Sequence, residues 1–238
     1  MLYVVATPIG NLGDLTLRAQ TVLHEVDFIA AEDTRHSSRL LQHYDIRKPL
    51  ISLHDHNESQ RVPELVNRLE LGEKAALISD AGMPLISDPG FRLMAECIAR
   101  HVPYEILPGP SAVTTALAGS GLPCHAFYFG GFLSQKSGKR LKAPERALNR
   151  DCTSIYFESP YRLVKSLKVL ANADAARRVC VARELTKTFE EYRKGTATEV
   201  HEHFTAHPPK GEITLLVGPS QSAEEIELPE TPDEREDD

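Results

Sequence analysis

Glu32, Asp33 and Arg35 stand together in "AAEDTRHSSR" (Ala30–Arg39), just beyond a short apolar run. A carboxylate at a strand end can take the proton from an attacking hydroxyl, which is the help a weakly acidic alcohol needs. Arg35 and Arg39 are spaced one helical turn apart, so on a helix they share a face and could grip phosphates. Helix capping accounts for Asp33 equally well, since acids in a first turn suit the helix dipole. Thr34 is a second cap candidate.

Three other stretches end apolar runs in glycine and proline: "ATPIGNLGD" (Ala6–Asp14), "SDAGMPLISDPG" (Ser79–Gly90) and "LPGPSA" (Leu107–Ala112). Glycine lets a backbone approach a ligand closely, and proline fixes a loop without a mobile side chain. A single loop of this kind is ordinary punctuation. Three after successive strands predict a preformed pocket beyond the strands' carboxyl ends, where α/β proteins bind ligands. Gly10-Asn11-Leu12-Gly13 has the wrong spacing for a dinucleotide fingerprint, and no Walker loop occurs.

"LHDHNE" (Leu53–Glu58) has the ingredients of a metal site in His54, Asp55, His56 and Glu58. No second cluster at ligand spacing accompanies it, so a polar loop lining a substrate cleft is the better reading and no metal is expected. His201 and His203 read as surface residues. The sharpest charge feature is "SQKSGKRLKAPERALNR" (Ser134–Arg150): Lys136, Lys139, Arg140, Lys142, Arg146 and Arg150 face only Glu145, a local net of +5. A solvated helix face is the ordinary explanation. Its Gly/Ser-rich first half also fits a clamp on a phosphate backbone, without aromatic residues for base stacking.

Elements that could position these groups alternate along the chain as short apolar strands and amphipathic helices, the α/β pattern. Strands are predicted at 2–6, 28–31, 50–53, 75–79, 104–107, 127–129, 153–157, 178–182 and 212–217. Helices are predicted at 15–26 (capped by Asp14 or Thr16), 34–44, 63–71, 91–101, 111–120 and 160–173. The 238 residues divide into an α/β domain over 1–115, a second over 116–220 and an acidic tail over 221–238. Of 34 acidic and 27 basic residues, nine and one fall in that tail, so the net of −7 becomes +1 for the body. The tail should be unstructured, and the body does not repel a polyanion. No apolar run suggests a membrane span, the N-terminus reads as a strand and not a leader, and the four cysteines make no C-x-x-C pair. A reduced, cytoplasmic protein is expected.

Taken together, "LYVVATPIGNLGDLTLRA", "AAEDTRHSSRLL", "LHDHNE", "LISDAGMPLISDPG", "LPGPSAVTTALAGSGL", "FYFGGFL" and "YFESPYRL" resemble the tetrapyrrole methylase superfamily, in the branch that methylates small-subunit ribosomal RNA. The likeness runs in order from Leu2 to about Gly218, with Ser134 where the family pattern has a proline. It implies two α/β domains of tetrapyrrole methylase type, distinct from the common Rossmann-like methyltransferase fold, with S-adenosylmethionine (SAM) in the cleft between them. It also implies a homodimer acting on a cytidine ribose 2′-oxygen in the decoding region of 16S RNA, with the assembled small subunit and not naked RNA as the expected substrate.

Position by position, the resemblance implies that Pro8 and Ile9 border the cofactor, that Met83 and Ile86 hold it, and that Asp80 and Ser87 shape the turn. Ser111 and Ala112 would contact it from the next strand end, and Phe157, Ala182 and Glu212 would close over the adenine. Glu32 and Asp33 are the candidates for catalytic base, with Arg35, Arg39, Lys136, Lys139 and Arg140 for RNA. Two alternatives remain: a methylase of a tetrapyrrole or other small molecule, and a non-catalytic ribosome-assembly factor.

Overall fold

The computed structural model describes residues 1–133 and 146–220. Lys136, Lys139 and Arg140, and the acidic tail, lie outside the described residues.

In the first half, β1 (Leu2–Val5), β2 (Phe28–Ala31), β3 (Leu50–Ser52), β4 (Ala75–Ile78) and β5 (Tyr104–Leu107) form a parallel sheet in the order β3-β2-β4-β1-β5. Its central strands read "FIAA" and "AALI" and are buried throughout, as a parallel sheet covered on both faces requires. Alternate residues separate the two faces. Leu2, Val4, Phe28, Ala30 and Leu77 pack with α3 (Glu58–Glu70) and α4 (Phe91–Ala99), through Leu65, Val66, Leu69, Leu93 and Cys97. Val5, Ile29, Ala31, Ala76 and Ile78 pack with α1 (Leu17–Glu25) and α2 (Thr34–His43), through Ala19, Val22, Leu23 and Leu41. α5 (Ala112–Ser120) follows β5.

The second sheet has the order β6-β7-β10-β8-β9. Its strands are β6 (Phe127–Phe132), β7 (Thr153–Glu158), β8 (Arg178–Arg183), β9 (Glu191–Thr196) and β10 (Ile213–Val217). β6 runs parallel to β7, and β10 antiparallel to it. One face packs against α6 (Pro160–Ala173) and α7 (Ala197–Ala206) through Leu163, Leu167, Leu170, Val200 and Phe204. Two compact units result: residues 1–119 with the excursion 182–191, and the rest of the second half.

Local details meet expectation at the caps of α1 and α2 and depart from it elsewhere. Asp33, not Thr34, caps α2, its carboxylate accepting from the Arg35 amide at 2.8 Å. Thr16 caps α1. Helix α3 begins at Glu58, ahead of Pro63, which lies within it. The polar edge strand β9, "EYRKGT", has no apolar pattern to announce it. His201 and His203 are half-buried on α7, with His203 stacked on His207.

Candidate functional site

Every strand of the first sheet runs the same way, so all five carboxyl ends open on one rim. β2 leads outward to β3, while β4 leads the other way, past β1, to β5. Chain therefore diverges on either side of the crevice between the ends of β2 and β4, the place where open α/β sheets take ligands.

Backbone contacts lock the loops on this rim together. Thr7 and Gly82 exchange amide-to-carbonyl hydrogen bonds of 2.9 and 3.0 Å, joining the loop after β1 to the loop after β4. The Thr7 hydroxyl donates to the Ser79 carbonyl at 3.0 Å. Gly82 takes φ 86, with Ile9 and the Pro110 carbonyl at its open side. A Cβ on Gly109 would stand 2.8 Å from that of Ala6, so the "PGPS" turn can approach β1 only as glycine. The three Gly/Pro loops thus converge, with Pro8, Ile9, Asp80, Met83, Ser111 and Ala112 on one rim. Pro8 and Ile9 are buried, Met83, Ser111 and Ala112 are half-buried, and Ile86 and Ser87 are exposed.

Carboxylates from three loops, those after β2, β3 and β4, crowd the crevice. Burial pushes Glu32 up to about 7, helped by the charges of Asp80, Asp88, Asp55 and Asp33. Burial likewise raises Asp88 to about 6, with Asp80 adding to the rise and a hydrogen bond from Ser79 opposing it. Asp33 goes the other way: bonds from the Arg35 side chain and amide hold it at about 2. Two adjacent acids are therefore separated in role. Glu32 can exchange a proton near neutrality, whereas Asp33 is a fixed charge that caps a helix and orients Arg35. The Arg35 side chain is 90% exposed and Arg39, one turn on, is exposed too, so both reach solvent from the first turns of α2.

Asp88 escaped the sequence reading, and Glu58 was read only as part of a polar loop lining the cleft. Glu58, part of "LHDHNE", is buried and accepts the Gly90 amide at 2.6 Å, pinning the far end of the β4 loop. Asp88 is signalled only as the second aspartate of "SDAGMPLISDPG". Among the described residues no group of three or more His, Cys, Asp or Glu side chains could hold a metal ion.

Phe157, Ala182 and Glu212 belong to strands of the other sheet or their edges. Phe157 is half-buried on β7 with its ring against Phe129 and Phe132. Ala182 is fully buried on β8, and Glu212 is exposed just before β10.

Residues 1–201 match the family model for tetrapyrrole (corrin/porphyrin) methylases. The chain is 48% identical over 93% of its length to a protein of Mesorhizobium japonicum, covering 76% of that relative. It is 45% identical to one of Thermotoga maritima, with 91% of this chain and 97% of the relative covered. It is 46% identical to one of Vibrio cholerae, with 97% and 81% covered. All three relatives are named ribosomal RNA small subunit methyltransferase I. Among solved structures it is similar to uroporphyrin-III C-methyltransferase of Thermus thermophilus, with a TM-score of 0.63, 18% identity, and 91% and 93% of the two chains covered. Diphthine synthase gives a TM-score of 0.67 at 14% identity, with 91% and 89% covered. At those identities the likeness is one of fold.

Proposed function

The chain belongs to the tetrapyrrole methylase family, alongside the proteins named ribosomal RNA small subunit methyltransferase I, and from that premise we propose that it moves a methyl group from SAM to a cytidine ribose 2′-oxygen of 16S ribosomal RNA. The target lies in the decoding region of the assembled small subunit, and the enzyme acts as a cytoplasmic homodimer. The observation that carries the chemistry is Glu32, an acid raised to about 7 at the crevice between β2 and β4.

The residues present fit SAM. Glu32, Asp80 and Asp88 give the crevice negative charge, which suits a cation and repels bare phosphate. The Thr7–Gly82 pair and the close Gly109–Ala6 approach keep backbone, not long side chains, at the rim. Bound SAM would supply the electrophilic methyl on its positively charged sulfur for a ribose hydroxyl, the oxygen–carbon bond forming as the carbon–sulfur bond breaks.

The chain's own residues do the rest. Glu32 accepts the hydroxyl proton, and a base titrating near neutrality is well matched to that task. Asp33 holds the start of α2 and orients Arg35, which with Arg39 meets the flanking phosphates from outside the acidic crevice. Stiff loops hold donor and acceptor in register, so alignment contributes much of the acceleration. Pro8, Ile9, Met83, Ile86, Ser87, Ser111 and Ala112 border the cofactor in this proposal. The parts given to Phe157, Ala182, Glu212, Lys136, Lys139 and Arg140 rest on the resemblance.

Purified protein incubated with labelled SAM and undermethylated small subunits, followed by nuclease mapping, tests the proposal. A single 2′-O-methylcytidine in the decoding region is the expected product. Label absent from RNA, with SAM binding confirmed by calorimetry, overturns the ribosomal substrate and favours a small-molecule methylase. Absence of SAM binding as well overturns the enzyme and leaves the assembly factor.

A further inference from the structure

The stretch "RELTKTFEE" (Arg183–Glu191) lies between two strands of the second sheet yet forms part of the first compact unit. Its own bonds fix it firmly. Arg183 Nε and Glu191 Oε2 close its neck at 2.5 Å. Inside, Glu190 accepts the Thr186 amide at 2.6 Å. The Lys187 amide reaches the Glu184 carbonyl at 3.0 Å, and its ammonium reaches the Glu184 carboxylate at 3.0 Å. The result holds Glu184 at φ 50 and Thr186 at φ 63. A β-branched residue in the left-handed region is costly and persists only where surroundings over-determine it.

What this conformation achieves is a contact with the loop after β1. The Thr186 hydroxyl oxygen accepts the Asn11 amide at 3.0 Å. Beside it, a Cβ on Gly10 would stand 2.5 Å from Lys187 Cγ, 2.7 Å from the Leu185 carbonyl and 2.8 Å from Thr186 Oγ1. Leu185 itself is buried. The hairpin is pressed on the "PIGN" backbone so closely that only glycine fits beneath it. Asn11 in turn caps the next turn, its side chain accepting the Gly13 amide at 3.0 Å.

We propose that Thr186 is a positioning residue for the methyl-transfer reaction, acting through its hydroxyl on the Pro8–Asn11 loop that borders the cofactor. The inference rests on the functional reading above for the part that loop plays. Thr186 touches no reacting atom. It fixes the loop that does the bordering, and the strain at Thr186 is the cost of presenting Oγ1 to the Asn11 amide.

Thr186→Val removes the hydroxyl at nearly constant shape, and Thr186→Ser restores it. Three readouts are taken on the full chain: amide exchange of Asn11 by NMR, SAM affinity by calorimetry, and single-turnover transfer to undermethylated small subunits. In Thr186→Val we expect Asn11 exchange to speed up by about ten-fold, the weight of one hydrogen bond, with SAM affinity or single-turnover rate falling by about three-fold or more. Thr186→Ser should lie within about two-fold of wild type in each. Circular dichroism shows whether the variants are folded, and Gly10→Ala should reproduce the valine phenotype by pushing the hairpin away. Unchanged exchange in Thr186→Val overturns the inference. So does faster exchange with unchanged affinity and rate, which makes the residue merely structural, or a serine variant as impaired as valine. Wild-type protein that binds SAM but labels no RNA sinks the substrate assignment while exchange and affinity still decide Thr186. Protein that binds no SAM overturns both.

Discussion

The backbone amide of Asp33 donates to Oδ1 of Asp80 at 3.2 Å, tying the loop after β2 to the loop after β4 across the crevice between them. One carboxylate therefore has two tasks. Its geometry sets the spacing of the two strand ends, and its charge helps to raise Glu32.

Asp80→Asn separates these tasks. The amide oxygen can still accept from Asp33, so the loops should stay in place while the charge is lost. Glu32 should then ionise at lower pH, and the acid limb of the single-turnover rate profile should move down in pH. SAM affinity should fall by up to about five-fold, the weight of one partly exposed charge pair. An acid limb at its wild-type position would mean that Asp80 does not act on the catalytic proton.

Glu32→Gln should lower the single-turnover rate by about a hundred-fold or more, the usual contribution of a general base, and should remove the pH-dependent limb near 7. Stability should move the other way. The folded pKa of Glu32 lies above its unfolded value, so between those values the native state binds more protons and stability falls as pH rises. The glutamine variant should therefore melt at a higher temperature than wild type at pH 8, with the gap closing as pH falls from about 7 to 4.5 and absent below that. A variant that retains turnover, or gains no stability at pH 8, removes Glu32 from the mechanism.

The strand ends could be read from sequence because glycine and proline are local signals, and the three loops they mark do meet at Thr7, Gly82 and Gly109. The raised acidity range of Glu32 could not. It is produced by acids from separate loops, Asp80, Asp88 and Asp55 among them, which only the sheet order brings together. Glu58 was hidden for a similar reason: within "LHDHNE" it looks like a cleft residue, and its partner Gly90 is 32 positions away. The 183–191 hairpin carries neither glycine nor proline. Its left-handed positions are taken by Glu184 and Thr186, residues whose types predict no turn of that kind.

The Glu58–Gly90 bond makes a prediction about loop rigidity. Glu58→Ala leaves a buried amide without its acceptor and should cost about 1–3 kcal/mol by denaturant unfolding, whereas Glu58→Gln retains an acceptor oxygen and should cost less. Gly90→Ala should be at least as severe, about 2 kcal/mol or more. Gly90 sits at φ 115, and an added Cβ would stand 2.6 Å from Leu77 Cδ2 in the core. If both alanine variants unfold like wild type, the end of the β4 loop is held by something other than this contact.

In the second sheet the corresponding anchor is Glu158, directly after Phe157. Its side chain is wholly buried. One oxygen accepts from the Ser159 amide at 2.7 Å and from Arg162 Nε at 2.9 Å, and the other from the Ser166 hydroxyl at 2.6 Å. Every bond points to the carboxylate, so removing it strands a guanidinium, an amide and a hydroxyl together. Glu158→Ala should cost about 3 kcal/mol, as expected when one partner of a buried pair is deleted. Glu158→Gln should be far milder, because the amide oxygen can keep the Ser159 and Arg162 bonds while its NH2 donates to the Ser166 oxygen. Function should follow the anchor: the Phe157 carbonyl accepts the Leu133 amide at 3.1 Å, fixing the residue from which the basic Ser134–Arg150 segment departs. The alanine variant, assayed below its melting temperature, should therefore show a raised KM for small subunits with the glutamine variant close to wild type. Equal KM values for the two variants would confine Glu158 to stability alone.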